Sequence, residues 1–207
     1  DNTSITVQES QSGGGSPNFR GMEANRLLLV VDGIPLNNAI YRSGHLQSAS
    51  TINPFFVEKV SLLSGPVSVA YGNGAMGGAL LFHTKSNLFK ETSLQIHQQY
   101  ESATNAVMFN FLSNYRTRKI AFTSGFSIKS VGNLKMGENR LHGYENWGKD
   151  TFSSKGKEQL FTSYQQADFM HKTHYAINEL NSLTLNTQYS ISSDISRFDK
   201  INDENMN

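Results

Sequence analysis

Cysteine is absent from the 207 residues, so disulfides and thiolate metal sites are excluded, while many compartments stay open. No charge of one sign dominates: 18 basic residues meet 17 acidic ones for a net charge of +1. There is no basic stripe of the kind that tracks nucleic acid, so no nucleic-acid partner is expected. No apolar run reaches the roughly 18 residues that a transmembrane helix requires. The strands of a transmembrane β-barrel would show no such run either, because they alternate. No signal peptide opens the chain, which begins at Asp1 in the middle of a β-like segment, and Asn207 closes a polar stretch. Both ends read as cut, and the chain is expected to be a fragment. H-E-x-x-H and G-x-S-x-G are missing, and no two carboxylates are placed across a cleft. No enzyme, metal site or cofactor is therefore expected.

What is present is β-type. Hydrophobic residues make up 37% of the chain, a low share, but 13 Phe and 8 Tyr exclude a disordered composition. Ser4–Gln8 reads as a short strand and Ser10–Asn18 as a glycine-rich loop. Arg26–Asp32 carries an unbroken apolar run, as a strand buried on both faces does, and ends in an Asp32-Gly33 turn. Pro35–Gln47 is polar and irregular. Phe55–Leu63 reads as a strand, Pro66–Tyr71 as a turn or single helical turn, and Gly78–Lys85 as another strand.

From Thr92 the period becomes two, so successive side chains point to opposite faces. Leu94, Ile96, Val107, Phe109, Ile120, Phe122, Leu183 and Leu185 fall on one face; Gln95, His97, Thr123, Ser127, Asn186 and Gln188 fall on the other. The predicted strands are Ser93–Glu101, Ala106–Tyr115, Lys119–Lys129, Phe161–Ala176 and Leu183–Ser192. Links Arg116–Arg118 and Asn178–Asn181 are short, whereas Ser130–Leu160 is long and polar. Outer-membrane barrels have short periplasmic turns and longer extracellular loops. The link Ser102–Asn105 departs from that rule by being short on the outer side. Alternation by itself also fits the half-exposed sheet of a soluble β-sandwich.

Two local motifs invite chemistry. Gly72-Asn-Gly-Ala-Met-Gly77 matches G-x-G-x-x-G, but a β-like run follows it where a dinucleotide site needs a helix. Its glycines are expected to serve turns and close backbone packing. The polar loop Asn37–Gln47 carries Tyr41, Arg42 and His45. An aromatic face can stack on a flat ligand, Arg can grip carboxylates in bidentate fashion, and neutral His can ligate a metal centre. His171 and His174 are three apart on a predicted strand and so point to opposite faces.

The words of Arg20–Lys85 resemble the plug domain of TonB-dependent outer-membrane receptors. They run Pro17-Asn-Phe-Arg20-Gly21, then Leu28-Leu-Val-Val-Asp32-Gly33, then Val57-Glu58-Lys-Val60. Gly65-Pro66, Tyr71-Gly72, Gly77-Gly78 and Thr84-Lys85 follow in the family's order. The resemblance implies a structural role in the plug for Arg20, Gly21, Asp32, Gly33, Glu58, Gly65, Pro66, Tyr71, Gly72, Gly77 and Gly78. Ser64 departs from the pattern: the family usually has an arginine there, which commonly pairs with barrel glutamates. The N-terminal TonB box is missing as well.

The resemblance implies a mixed α/β plug over residues 1–88, lacking its N-terminal part. Residues 89–207 are then the first five or so antiparallel strands of a barrel that holds roughly 22 in such plugged transporters. It implies active uptake of a scarce nutrient, a ferric siderophore, haem or cobalamin, across the outer membrane of a Gram-negative bacterium. The implied partners are outer-membrane lipid, a small-molecule or metal-chelate substrate, and the TonB complex acting through the missing N-terminal segment. Asn38, Tyr41, Arg42, His45 and Gln47 are the candidate substrate contacts, because Asn37–Gln47 resembles plug apices of haem- and cobalamin-type members. The alternative is a secreted β-rich binding or adhesion module without transport.

Overall fold

The computed structural model describes residues 5–8, 13, 15–19, 27–36, 49–64, 71, 77–86, 91–135, 137, 150 and 152–196. They build a small sheet domain set against a broad antiparallel sheet. The small domain contains β1 (Ile5–Gln8), β2 (Ser16–Phe19), β3 (Leu27–Val31), β4 (Ile34–Pro35), β5 (Val57–Leu63) and β6 (Gly78–Thr84). Four of these form a sheet in the order β4-β3-β6-β5, with β3 and β6 parallel. Its core joins Leu27 and Leu29 of β3 to Leu80 of β6 and Phe19 of β2. Strand β3 is buried along nearly its whole length, as its unbroken apolar run requires.

Two local readings change. Ser16–Phe19, of which Ser16–Asn18 was expected within a loop, pairs antiparallel with Ile5–Gln8; Pro17 is tolerated because β2 has a single hydrogen-bonded neighbour in this sheet. Phe55 and Phe56, expected in the next strand, sit instead in a 3₁₀ turn, Pro54–Phe56, capped by Asn53, whose Oδ1 accepts from the Phe55 N–H. Proline at the first position of that turn sacrifices no hydrogen bond.

The broad sheet contains β7 (Ser93–Glu101), β8 (Ala106–Arg116), β9 (Ile120–Val131), β13 (Tyr164–Ala176) and β14 (Ser182–Ser192), in the order β14-β13-β9-β8-β7. All pairings are antiparallel. An 11-residue strand such as β8 is about 37 Å long; tilted by about 45° it rises roughly 26 Å, the thickness of a barrel's apolar band. The described residues of the long link between β9 and β13 include strands that its polarity did not suggest. It holds a three-stranded sheet of β10 (Leu134–Lys135), β11 (Ser154–Lys155) and β12 (Glu158–Gln159). The Leu134 N–H donates to Thr162 Oγ1, and the Lys135 N–H to the Ala103 carbonyl, which ties this sheet to the β7–β8 turn. Phe161, expected in a strand, is in a left-handed turn at φ 64°.

The register sorts the side chains. One cross-strand row runs Ile96–Phe111–Phe126–Phe169–Tyr189. Leu94, Val107, Phe109, Ile120, Phe122, Leu183 and Leu185 lie on that same outer face. Leu94, Ile96, Leu183 and Leu185 are 61%, 59%, 62% and 60% exposed, an apolar surface too large for a face that meets water. The small domain covers the opposite face.

Candidate functional site: the seam between plug sheet and wall

Three rows of the inner face meet the small domain. The first reads His97–Asn110–Ser127–Asp168–Ser190, the second Gln95–Leu112–Gly125–Met170–Gln188, the third Ser93–Asn114–Thr123–Lys172–Asn186. The outer two rows are polar and the middle one is apolar at its centre.

In the first row, Asn53 uses both ends of its amide. Oδ1 caps the 3₁₀ turn, and Nδ2 donates to Asp168 Oδ2 at 2.8 Å. Asp168 also accepts from Gln166 at 2.9 Å and from the Ser190 hydroxyl at 2.6 Å. Ser127 donates to Asn110 at 2.7 Å, so buried hydroxyl and amide satisfy one another. Phe55 stacks on the His97 ring with centroids 6.1 Å apart, and Lys85 Nζ sits 4.3 Å from the Phe55 ring centroid.

In the middle row, Phe56 is the wedge. It is buried with Leu112 and Met170, and its ring fills the hollow over Gly125. A Cβ at Gly125 would lie 2.5 Å from a Phe56 ring carbon, so only glycine leaves room.

In the third row, Asp32 is the hub. It and Gly33 both have left-handed φ, 49° and 86°, as a two-residue hairpin turn between β3 and β4 demands. That turn aims the carboxylate at the wall. Within the small domain it accepts from the Thr84 N–H at 2.9 Å and the Thr84 hydroxyl at 2.6 Å, joining β3 to β6. From the wall it accepts from Lys172 at 3.0 Å, Asn186 at 2.8 Å and Gln188 at 3.3 Å. Lys172 also donates to the Thr84 carbonyl at 3.1 Å. Burial pushes the Asp32 pKa up, but the two Thr84 hydrogen bonds and Lys172 outweigh it and hold the carboxyl below its ordinary value. Asp32 is therefore a carboxylate at neutral pH.

These hydrogen bonds and the ion pair fasten the small domain to the broad sheet. Among the described residues no three His, Cys, Asp or Glu converge as a metal site. His171 and His174 do point to opposite faces, and each meets hydroxyls: His171 those of Ser124 and Thr173, His174 that of Thr184.

The sequence-derived residues fare unevenly. Asn38, Tyr41, Arg42, His45 and Gln47 lie outside the described residues, as do Arg20, Gly21, Gly65, Pro66 and Gly72. Asp32 and Gly33 are at the seam. Glu58 is exposed on β5, Tyr71 is half-buried and helical, and Gly77 is buried. Gly78 has φ 139°, and a Cβ there would lie 2.6 Å from the Leu63 carbonyl oxygen. Sequence reasoning missed Asn53, Phe56, Gly125, Asp168 and Lys172 altogether. Thr123 is on the inner face, as its place in the alternation predicts. Thr123 is 1% exposed, donates to Asn114 and sits opposite Lys172, so a second ammonium there would be buried beside the first.

The family described as TonB-dependent Receptor Plug Domain matches residues 2–79. The vitamin B12 transporter BtuB of Vibrio vulnificus (strain CMCP6) is 29% identical over 199 residues, covering 89% of this chain and 32% of that protein. The heme/hemopexin utilization protein C of Haemophilus influenzae (strain 86-028NP) is 30% identical over 95 residues, 43% of this chain and 13% of that protein. The chain thus spans a third or less of the length of these relatives. The solved FrpB iron transporter of Neisseria meningitidis shares the fold, with TM-score 0.72 and 16% identity, over 91% of this chain and 28% of that one.

Proposed function

We propose that the chain, whose residues 2–79 match the plug domain of TonB-dependent receptors, forms the plug (residues 1–88) and first wall strands (residues 89–207) of an outer-membrane uptake receptor of that family. The substrate is a scarce nutrient of the ferric siderophore, haem or cobalamin class. The receptor sits in the outer membrane of a Gram-negative bacterium and is opened by TonB acting on a segment N-terminal to the plug. The observation that carries this reading is the two-faced sheet. Its inner face is fastened to a plug by paired polar groups, and its outer face is apolar and aromatic. Such a sheet needs lipid on one side and plug on the other. A secreted adhesion module has no use for that outer face. The test is uptake of cyanocobalamin, haemin and a ferric catecholate siderophore by cells carrying the complete receptor, with and without an uncoupler. Uptake of one of them that stops with the uncoupler is expected; a complete protein that is soluble without detergent would overturn the reading.

Two outcomes follow for variants of the complete receptor. Leu185→Lys places an ammonium on the outer face and is expected to cost about 2–4 kcal/mol at mid-bilayer. Gln95→Lys, exposed on the inner face, is expected to leave barrel yield unchanged. Heat-modifiability on gels reads both. At the plug apex, Asn38, Tyr41, Arg42, His45 and Gln47 are proposed to contact the substrate. Tyr41→Ala, Arg42→Ala and His45→Ala are expected to weaken binding, at least one of them by about tenfold, the loss of roughly one charge-assisted or stacking contact. Affinities within a factor of about two for all three variants would remove this loop from the site.

A further inference from the structure

Lys129 and Lys172 both lie on the inner face of the broad sheet, and their charges are answered differently. Lys172 of β13 stands in the third row and meets Asp32 at 3.0 Å. Lys129 of β9, the central strand, stands one row beyond the seam, between Met108 of β8 and Gln166 of β13. It is half-buried, and its Nζ lies 5.4 Å from the Tyr164 ring centroid. Among the described residues it makes no ion pair. The carboxylates of the adjoining rows are engaged elsewhere: Asp168 accepts from Asn53, Gln166 and Ser190, and Glu101 from Gln99. A half-buried ammonium has given up part of its water, and the face of an aromatic ring returns only a fraction of that loss. Tyr164 fixes where the charge sits. Its ring is 4% exposed and packs with Ala106 and Val131. The plug reaches it from the other side at Gly13, where φ is 69° and a Cβ would run into the Tyr164 hydroxyl. Lys129 is therefore held between two plug contacts, Asn53–Asp168 on one side and Gly13–Tyr164 on the other, with part of its surface open.

We propose that Lys129 is an anion-binding contact on the route of the solute, and that the receptor takes an anionic chelate. This rests on the uptake reading above and narrows its substrate class. A ferric catecholate carries the negative charge that Lys129 lacks, and haemin brings it on its propionate carboxylates; cyanocobalamin has no net charge to offer. The place of the row supports the assignment. It is the first inner row past the seam toward the β7–β8 turn and the long link, which is the outer end in that reading. An arriving solute meets this ammonium before the plug has to move, and an anion there receives a charge-assisted hydrogen bond in a partly desolvated setting.

The purified complete receptor in detergent is titrated with haemin, a ferric catecholate and cyanocobalamin, each at low and at high salt. Wild type is compared with Lys129→Arg, Lys129→Gln and Lys129→Glu, after heat-modifiability on gels shows that all four fold. One of the two anionic probes is expected to bind. Lys129→Gln is expected to weaken it by about tenfold or more, the scale of one hydrogen bond to a charged group, and Lys129→Glu by more. Lys129→Arg keeps the charge and is expected to stay within about threefold of wild type. Salt is expected to weaken the wild type more than Lys129→Gln, a difference that a purely structural role for the side chain would not produce. An affinity unchanged in Lys129→Gln, an equal loss in the Arg and Gln variants, or a wild type that binds neither anionic probe overturns the proposal. The uptake reading is judged separately. Uncoupler-sensitive uptake of a solute whose binding ignores position 129 keeps that reading and removes this contact. Binding that depends on Lys129, with no uptake by energised cells, contradicts that reading and keeps the contact.

Discussion

Asp32→Ala loosens the plug from the wall by about 3 kcal/mol, the scale for breaking one side of a largely buried ion pair. Most of that loss comes from what is left behind. Among the described residues, Lys172 keeps only the Thr84 carbonyl as a partner, and Asn186 and Gln188 lose an acceptor. Equilibrium unfolding of the complete receptor in urea, followed by proteolysis of the plug, measures it. Lys172→Met in the same background is expected to recover about half the loss, because no unpaired ammonium then remains. If the double variant is as weak as the sum of the two single changes, the hub is not a coupled unit. The pH dependence has a definite sign. Asp32 has its pKa depressed in the folded state, so its contribution is full above the ordinary carboxylate range and falls only as pH drops below that range. Plug seating is therefore expected to be indifferent to pH between neutrality and mild acid.

Gly125→Val is the second large effect. Its backbone is an ordinary strand, so valine is conformationally welcome there, and the whole penalty is steric. The new Cβ meets the Phe56 ring at 2.5 Å, and that ring is held by Leu112 and Met170. Overpacking of this kind costs about 1–3 kcal/mol. Phe56→Ala alone empties the hollow and costs about 3 kcal/mol or more. The two changes together are expected to cost less than their sum by 1 kcal/mol or more, since valine partly refills what alanine vacates. Thermal unfolding of the four proteins in detergent gives the cycle. Strict additivity would mean that Phe56 and Gly125 do not meet.

The broad sheet was legible because its signal is local. Leu94, Ile96 and Tyr100 alternate with Gln95, His97 and Gln99 within one strand, and a period of two needs no knowledge of partners. Strand β3 was legible for the same reason, as an unbroken apolar run ending in Asp32-Gly33. The seam was not legible. Asp32 reaches Asn186 across 154 positions and Asn53 reaches Asp168 across 115, and no short pattern announces either pair. Ser64, where the family usually has an arginine, is exposed. The fastening found here runs through an aspartate that reads, in one dimension, as a turn residue. Gly125 was equally silent, since a glycine in a strand can mark a bulge or a close approach and only Phe56 says which. The 3₁₀ turn at Pro54–Phe56 hid the wedge, because two phenylalanines before Val57 look like the start of a strand.

In the complete receptor the broad sheet is expected to have lipid on its outer face and plug on its inner face. Spin labels placed one at a time at Leu183, Thr184, Leu185 and Asn186 of the complete receptor in lipid vesicles test this directly. Collision with oxygen, which concentrates in the bilayer, is expected to be high at 183 and 185 and low at 184 and 186. Labels at all four positions that collide instead with a water-soluble nickel chelate, without alternation, would contradict it.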